Sequence, residues 1–466
     1  MEAIDMHHNH KKKSFSPTRR IAFSFFMVIL VGSILLTLPI SNQKLDTVYL
    51  DHLFVATSAT CVTGLVPLVV QEQYTLFGQV IILILIQIGG LGFLTLMGMM
   101  FVSLKKKMSY TNKIVMQEAL NQNSGQGLSL YIKRVIKYTF FFEMLGAVCL
   151  MFVFVPEFGI AKGLYYSIFH SISAFCNAGF DVLGSQSLMM YQSHVWLNLV
   201  ITGLIIAGGL GFVTWIDIRL SYRKYREKFS VFRLKKFINS LSLHTKIVLL
   251  MTGGLLLLGT LVILILEFSN PDTLGTLSFP EKVLVSFFQS TTLRTAGFAT
   301  IDIAKLCNPT KLVMSVIMFI GGSPAGTAGG IKTVTFLIVL LTIRSLIQGT
   351  DEVRIFNRSI SQQTVKRSLI IIIVSFLIAL SGLLALTITE QKPFIDLVFE
   401  IFSAFATVGL TAGLTPLLTN LGKMTIIIMM YIGRIGPITM VLMFAKKYNQ
   451  MKGKEIHYPV DDVLIG

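Results

Sequence analysis

The sequence predicts an all-α, polytopic membrane fold. Four repeats, each a span, a short re-entrant segment and a second span, surround one pseudo-fourfold axis. Three observations predict it. Charged residues make up only 14% of the 466 and apolar residues 53%, against about 25% charged in soluble globular proteins. The mean hydropathy of +0.72 says the same, since so few charges cannot cover a water-facing surface of this size. Eight apolar stretches are long enough for the roughly 20 residues a helix needs to cross the hydrocarbon. Two glycine-centred phrases recur four times at nearly constant spacing.

The eight stretches are Ala22–Ile40, Phe77–Leu104, Tyr138–Pro156, Val195–Ile216, Ile247–Leu266, Leu312–Leu341, Ser368–Thr389 and Met424–Ala445. The first is too long for a signal-peptide core and has no small-residue cleavage site, so it reads as a span. His7, His8 and His10 before it lie in a polar leader. Paired in order, the spans give repeats over 21–110, 131–220, 244–345 and 364–447. Tails at 1–20 and 448–466 flank them.

Basic residues orient the chain. With both termini cytoplasmic, the inner segments 1–20, 103–137, 219–246, 342–367 and 445–466 hold 30 of the 40 Lys and Arg. Seven lie outside, and Arg294, Lys332 and Arg434 fall within apolar territory. This is a strong positive-inside bias. It accounts for the net charge of +17 without a nucleic-acid partner. Tyr222–Lys236 is basic and partly amphipathic, suited to anionic lipid or a cytoplasmic partner. Cys61, Cys149, Cys176 and Cys307 have neither disulfide-framework nor zinc-site spacing.

The first repeated phrase ends in Val62-Thr63-Gly64, Asn177-Ala178-Gly179, Thr295-Ala296-Gly297 and Thr407-Val408-Gly409, with glycines 115, 118 and 112 residues apart. The second contains Gly89-Gly90, Gly208-Gly209, Gly321-Gly322 and Gly433-Arg434, and begins 24 to 29 residues after the first glycine. The segments leading to the first phrase start near Asp51, Gly163, Pro280 and Pro393 and are too short to cross. Non-helical backbone is tolerated at membrane depth only when buried in protein or lining an aqueous cavity. Four such loops on one axis would stack carbonyl oxygens able to replace the hydration shell of a cation. The C-terminal ends of their helices add negative potential. The bland alternative is four packing glycines between membrane helices, which leaves their common register unexplained.

These phrases resemble the Trk/Ktr/HKT superfamily of potassium transporters, and within it the membrane subunits of bacterial Ktr systems. The resemblance runs from Phe23 to the C-terminus. It implies four membrane–pore–membrane repeats around one pseudo-fourfold pore. The selectivity filter would be Val62, Thr63, Gly64, Asn177, Ala178, Gly179, Thr295, Ala296, Gly297, Thr407, Val408 and Gly409, with K⁺ at their backbone carbonyls. It implies K⁺ as substrate, leaves Na⁺ dependence open, and places ATP and ADP on a separate cytoplasmic regulatory subunit. It also implies a homodimer in the bacterial plasma membrane, docked on a ring of such subunits.

The third repeat contains Gly321-Gly322-Ser323-Pro324-Ala325-Gly326-Thr327-Ala328-Gly329-Gly330. So many glycines with a proline cannot sustain a straight helix. The resemblance makes this stretch, with Lys332 at its end and Arg434 nearby, an intramembrane gate. An arginine within a span is costly and usually functional. Arg294 is expected to brace the third segment from behind, paired with Glu400 or Asp396. Glu143 is expected to pair with Lys137. His170 and Asn177 are expected to bond the backbone of the second segment. Nothing beside Cys61 or Cys176 supplies the base a nucleophile needs, and no catalytic constellation appears. A secondary transporter with broken helices and alternating access remains the alternative to a gated pore.

Overall fold

The computed structural model describes residues 17–92, 128–228, 233–350, 352–437 and 440. Residues 1–16, the C-terminal tail, most of the inner segment 103–137 and the ends of the first and fourth repeats lie outside the described residues.

Among the described residues, four helices are long and apolar enough to cross a membrane: Arg19–Thr37, Ser129–Phe175, Leu243–Glu267 and Gln362–Thr389. They are the first spans of the four units. Two start on serine caps, with Ser242 and Ser361 accepting from the backbone of Thr245 and Thr364, which satisfies a donor the helix leaves free. Their outer faces are apolar. Ile370, Ile373, Leu377, Leu380, Leu384 and Ile388 are all exposed at three- and four-residue intervals, a stripe along one side of the helix. Leu128–Phe175 is two helices joined at Gly159, whose φ of 78° follows Pro156. The short helix of unit two thus starts just after Gly159, before the expected Gly163.

The other short helices are Tyr49–Cys61, Phe279–Thr292 and Phe394–Ala406, of 13, 14 and 13 residues. At about 1.5 Å per residue they reach roughly 20 Å. Sequence fixes their starts. Ser278 and Glu281 form a capping box with Pro280 in the first turn, and Pro393 precedes Phe394. Asp51, Glu281 and Asp396 lie in the first turns, where negative charge suits the helix dipole.

The described helices of the second spans are shorter than the sequence reading, with 93–104, 438–439 and 441–445 outside the described residues. Leu76–Leu91, Val195–Gly209, Asn308–Phe319 and Asn420–Ile435 have 16, 15, 12 and 16 residues, about 18–24 Å and short of a full crossing. A break was expected only in Leu312–Leu341. It is there, between Asn308–Phe319 and Thr333–Ile347. Helices also stop in the other units, before Gly92, Gly211 and Gly436, whose φ values are 78°, 84° and 98°. In unit two the chain turns by 91° into the next helix. The overlooked signal is a glycine three residues after the first glycine of the second phrase in units one, two and four; the third unit has Pro324 there.

The units meet in chain order, and the last meets the first. Ten residues before the second-phrase glycine stand Gln79, Asn198, Lys311 and Lys423. Gln79 accepts from the Tyr165 hydroxyl at 2.9 Å, joining units one and two. Lys311 pairs with Asp396 at 2.9 Å, joining three and four. Lys423 pairs with Asp51 at 2.6 Å, returning four to one. Asn198 bonds carbonyls at the start of its own helix instead. Units two and three meet where Leu188 N–H donates to Ala299 O at 3.1 Å. Apolar cores bridge units one and two, four and one, and three and four.

Candidate functional site

Each short helix ends in the same backbone shape. Val62, Asn177, Thr295 and Thr407 have φ of 56°, 59°, 67° and 54°, and Gly64, Gly179, Gly297 and Gly409 have 99°, 67°, 84° and 95°. Thr63, Ala178, Ala296 and Val408, between them, keep negative φ. A left-handed residue other than glycine is uncommon. Four at equivalent positions are a repeated design. Alternating the hand of successive residues turns neighbouring peptide groups toward one side, which an extended strand does not do.

The glycines form a ring. A Cβ on Gly64 would lie 2.6 Å from Ala178 O, one on Gly179 2.5 Å from Ala296 O, and one on Gly297 2.7 Å from Val408 O. One on Gly409 would collide with Thr63 O. Each glycine therefore faces the next unit's carbonyl, and the fourth faces the first. Among the described residues, none of the twelve carbonyls of 62–64, 177–179, 295–297 and 407–409 accepts a hydrogen bond. Buried carbonyls are otherwise nearly always paired.

Hydroxyls at the helix ends hold the shape. Ser58 and Ser403 Oγ accept from the N–H of Gly64 and Gly409 at 3.0 and 3.1 Å. Ser173 and Thr292 donate to the carbonyls of Phe180 and Phe298, both at 2.7 Å. Sequence reasoning did not single out these four. Their signal was a hydroxyl residue about six positions before each glycine.

A cavity of about 340 Å³ lies at the glycine end of the ring, lined by all four glycines and by Asp181 and Asp302, with no lysine or arginine. Burial pushes the Asp181 carboxyl up to about 6, against the pull of bonds from Leu183 N–H and Ser187.

The glycine-rich loop lies at the opposite end of the ring. Thr327 Oγ1 donates at 3.2 Å to Asn177 Oδ1 and at 3.3 Å to Phe175 O. A Cβ on Gly329 would collide with Thr407 Oγ1, and one on Gly330 would sit 3.4 Å from Ala406 Cα. Ile320 and Ile331 bridge the loop's two ends in parallel. Ser323 N–H donates to Gly209 O at 3.0 Å, and Ala325 O accepts from Phe212 N–H at 3.0 Å. The Arg434 guanidinium donates to Thr327 O and Gly89 O, tying units four, three and one together. Lys332, at the loop's far end, turns back onto the loop. Its ammonium donates to Ala328 O at 2.7 Å.

Other expectations are corrected. Arg294 is buried and none of its side-chain nitrogens has a partner among the described residues. Glu400 instead accepts from Thr411 and Thr415, and Asp396 is held by Lys311. Arg294 stands just past the C-terminal end of Phe279–Thr292, where the helix dipole favours positive charge. Glu143 accepts from Gln87 Nε2 at 3.2 Å, not from Lys137. Six residues apart on a helix, 137 and 143 face different ways. His170 bonds Tyr166 O in its own helix at 2.7 Å. Asn177 does bond backbone, but that of the third segment, through Nδ2 to Arg294 O at 3.1 Å.

A family model described as TrkH, cation transport protein, matches residues 4–456. The chain is 43% identical to the Ktr system potassium uptake protein B of Bacillus subtilis over 97% of each chain. It is 42% identical to the potassium/sodium uptake protein NtpJ of Enterococcus hirae over 98% of each. A crystal structure of the potassium transporter TrkH from Vibrio parahaemolyticus has the same fold, with a TM-score of 0.72 at 17% identity, over 94% of this chain and 86% of that one. The chain belongs to the TrkH family of cation transport proteins, in the Trk/Ktr/HKT superfamily, and is a multi-pass membrane transport protein, not an enzyme.

Proposed function

We propose that this chain is the ion-translocating subunit of a Ktr-type potassium uptake system, passing K⁺ through one pseudo-fourfold pore. The observation that carries this reading is the closed ring of glycines with twelve carbonyls that accept no hydrogen bond among the described residues. Residues 62–64, 177–179, 295–297 and 407–409 are the selectivity filter. Their carbonyls replace the water shell of a dehydrated cation, and the short-helix C-termini add negative potential. Asp181 and Asp302 raise the cation concentration at the mouth. Relatives named for potassium and for potassium/sodium uptake support K⁺ as substrate and Na⁺ as a candidate co-substrate.

Loop 321–330, with Lys332 and Arg434, is the gate. It stands beyond the filter on the side away from the cavity, and the basic side chains of Lys332 and Arg434 donate to its Ala328 and Thr327 carbonyls, where they oppose a passing ion. Both termini are cytoplasmic, on the charge bias of the inner segments. The working assembly is a homodimer with a pore in each chain. It docks on a cytoplasmic ring of regulatory subunits that bind ATP or ADP.

Rb⁺ flux into proteoliposomes down a gradient tests this. Saturable flux that K⁺ competes away, without added ATP, is expected. Folded, inserted protein with no such flux, or flux in fixed ratio to a solute, would overturn it.

A further inference from the structure

A second, smaller cavity of about 180 Å³ lies away from the ring. It is lined by Arg134, Tyr138, Ile216, Arg219, Leu220 and Arg223. Arg134 and Tyr138 stand one turn apart on Leu128–Phe175. The other four occupy positions i, i+3, i+4 and i+7 of Phe212–Lys228, which is a single helical face. Three arginines border one small space with no acidic residue in its lining. Among the described residues, Arg223 has one acidic contact, Glu227 at 3.2 Å, and that pair is exposed. Asp217, on the same helix, is occupied elsewhere, accepting from Ser242 N–H at 3.0 Å. Tyr138 lines the cavity, and its buried hydroxyl has no partner among the described residues. A cluster of like charges around an unpaired donor fits an oxyanion, and arginine's planar fork suits phosphate.

The surroundings are those of a membrane interface. Leu130, Phe140 and Phe141 on one helix and Leu220 and Tyr222 on the other are exposed. Phe212–Lys228 leaves the preceding helix at 91°, so it runs across the direction of the span it follows. Its basic residues belong to the side that the charge bias makes cytoplasmic.

We propose that Arg134, Arg219, Arg223 and Tyr138 bind the phosphate of an anionic phospholipid of the inner leaflet, with Ile216 and Leu220 against its glycerol and upper acyl chain. Basic pockets between membrane helices on this side suit such headgroups. The helix that bears Arg219 and Arg223 also touches the proposed gate, at its first residue. Phe212, first residue of the arginine-bearing helix, donates to Ala325 O at 3.0 Å, and the Trp215 indole donates back across the break to Ala207 O at 2.9 Å. A lipid that holds this helix holds one end of the loop contact. The assignment rests on the cytoplasmic placement of 219–246 and not on ion flux, so binding can be tested whether or not the transport reading stands.

The test is native mass spectrometry of the full-length protein in detergent, titrated with phosphatidylglycerol or phosphatidylcholine. Competition with inorganic phosphate against chloride of equal ionic strength is run alongside. Retention of phosphatidylglycerol over phosphatidylcholine is expected. Its affinity should fall about fivefold in R134Q and about thirtyfold in R219Q/R223Q, from the usual contribution of a basic residue at an anionic surface. Y138F, which keeps every charge, should weaken binding less. Size-exclusion profiles identify variants that fail to fold, and R219K/R223K then keeps the question open to test, with binding between the two extremes. Equal retention of the two lipids would overturn the proposal, as would unchanged phosphatidylglycerol affinity in R219Q/R223Q. Protection by inorganic phosphate with none by lipid would give the site to a soluble anion. Loss of regulatory-subunit binding with lipid binding intact would give the arginines to a protein partner. Either outcome overturns the lipid assignment.

Discussion

Gly64 has a φ of 99° and faces Ala178 O across 2.6 Å of would-be Cβ space. A side chain there must hold a strained backbone, at about 1–3 kcal/mol, and push a neighbouring unit's carbonyl aside. Gly64→Ser is expected to weaken preference for K⁺ over Na⁺ in competition uptake and to lower the unfolding midpoint. Unchanged ion preference would remove Gly64 from the filter. Gly409→Ala should be worse, because its Cβ collides with Thr63 O outright. Asp181 gives a second expectation. With its carboxyl at about 6, the outer cavity loses a negative charge as pH falls through that value. Rb⁺ uptake at low cation concentration should drop between pH 7 and 5, and Asp181→Asn should flatten that drop. The glycines were legible in the sequence because four copies in register exceed chance. The company of Arg294 was not, since contacts between units two, three and four decide it and no local spacing records them.

At the scale of elements, the loop 321–330 is held at several points by unit two, through Asn177, Gly209 and Phe212, and by Arg434 from unit four. Its two nitrogens serve carbonyls of different units, Thr327 O and Gly89 O. Arg434→Ala should raise basal cation flux per folded protein and reduce its dependence on a cytoplasmic partner. Arg434→Lys should behave nearly as Ala, because one ammonium lacks the fork that spans two acceptors. Deleting most of the loop should act in the same direction, and flux and regulation like the parent would end the gate assignment. The break in unit three was legible from its glycines and proline. Those in units one, two and four were missed because an isolated glycine in an apolar run costs only about 1 kcal/mol and is often tolerated. Here each breaks the helix where its predecessor three residues earlier packs against a short helix. Gly89, Gly208 and Gly433 press on the carbonyls of Thr60, Phe175 and Phe405.

For the whole molecule, the closing contact is between ends of the chain. Lys423 and Asp51 meet at 2.6 Å with side chains only 14% and 15% exposed. Removing one partner of this largely buried pair strands the other charge, with about 3–5 kcal/mol as the upper bound set by fully buried pairs. Asp51→Asn should therefore lower thermal stability in detergent far more than Glu227→Gln in the exposed pair with Arg223. A double-mutant cycle with Lys423→Gln should recover part of the loss. At the level of assembly, ATP and ADP should leave the melting temperature of the isolated protein unchanged and shift flux only once the regulatory subunit is added.

The amino-acid sequence by itself determined the membrane class, the repeat, the orientation bias and the glycines that later meet. Each of these is written locally, in hydropathy over about 20 residues, in charge beside the spans and in a phrase copied four times. Only the tertiary structure decided which carbonyl each glycine faces, that Gln79, Lys311 and Lys423 join successive units, and that three arginines from two helices border one cavity. Those facts depend on distances between segments up to 372 residues apart. Sequence patterning fixes which face of a helix is buried, whereas the partner across that face is set by how all four units pack at once.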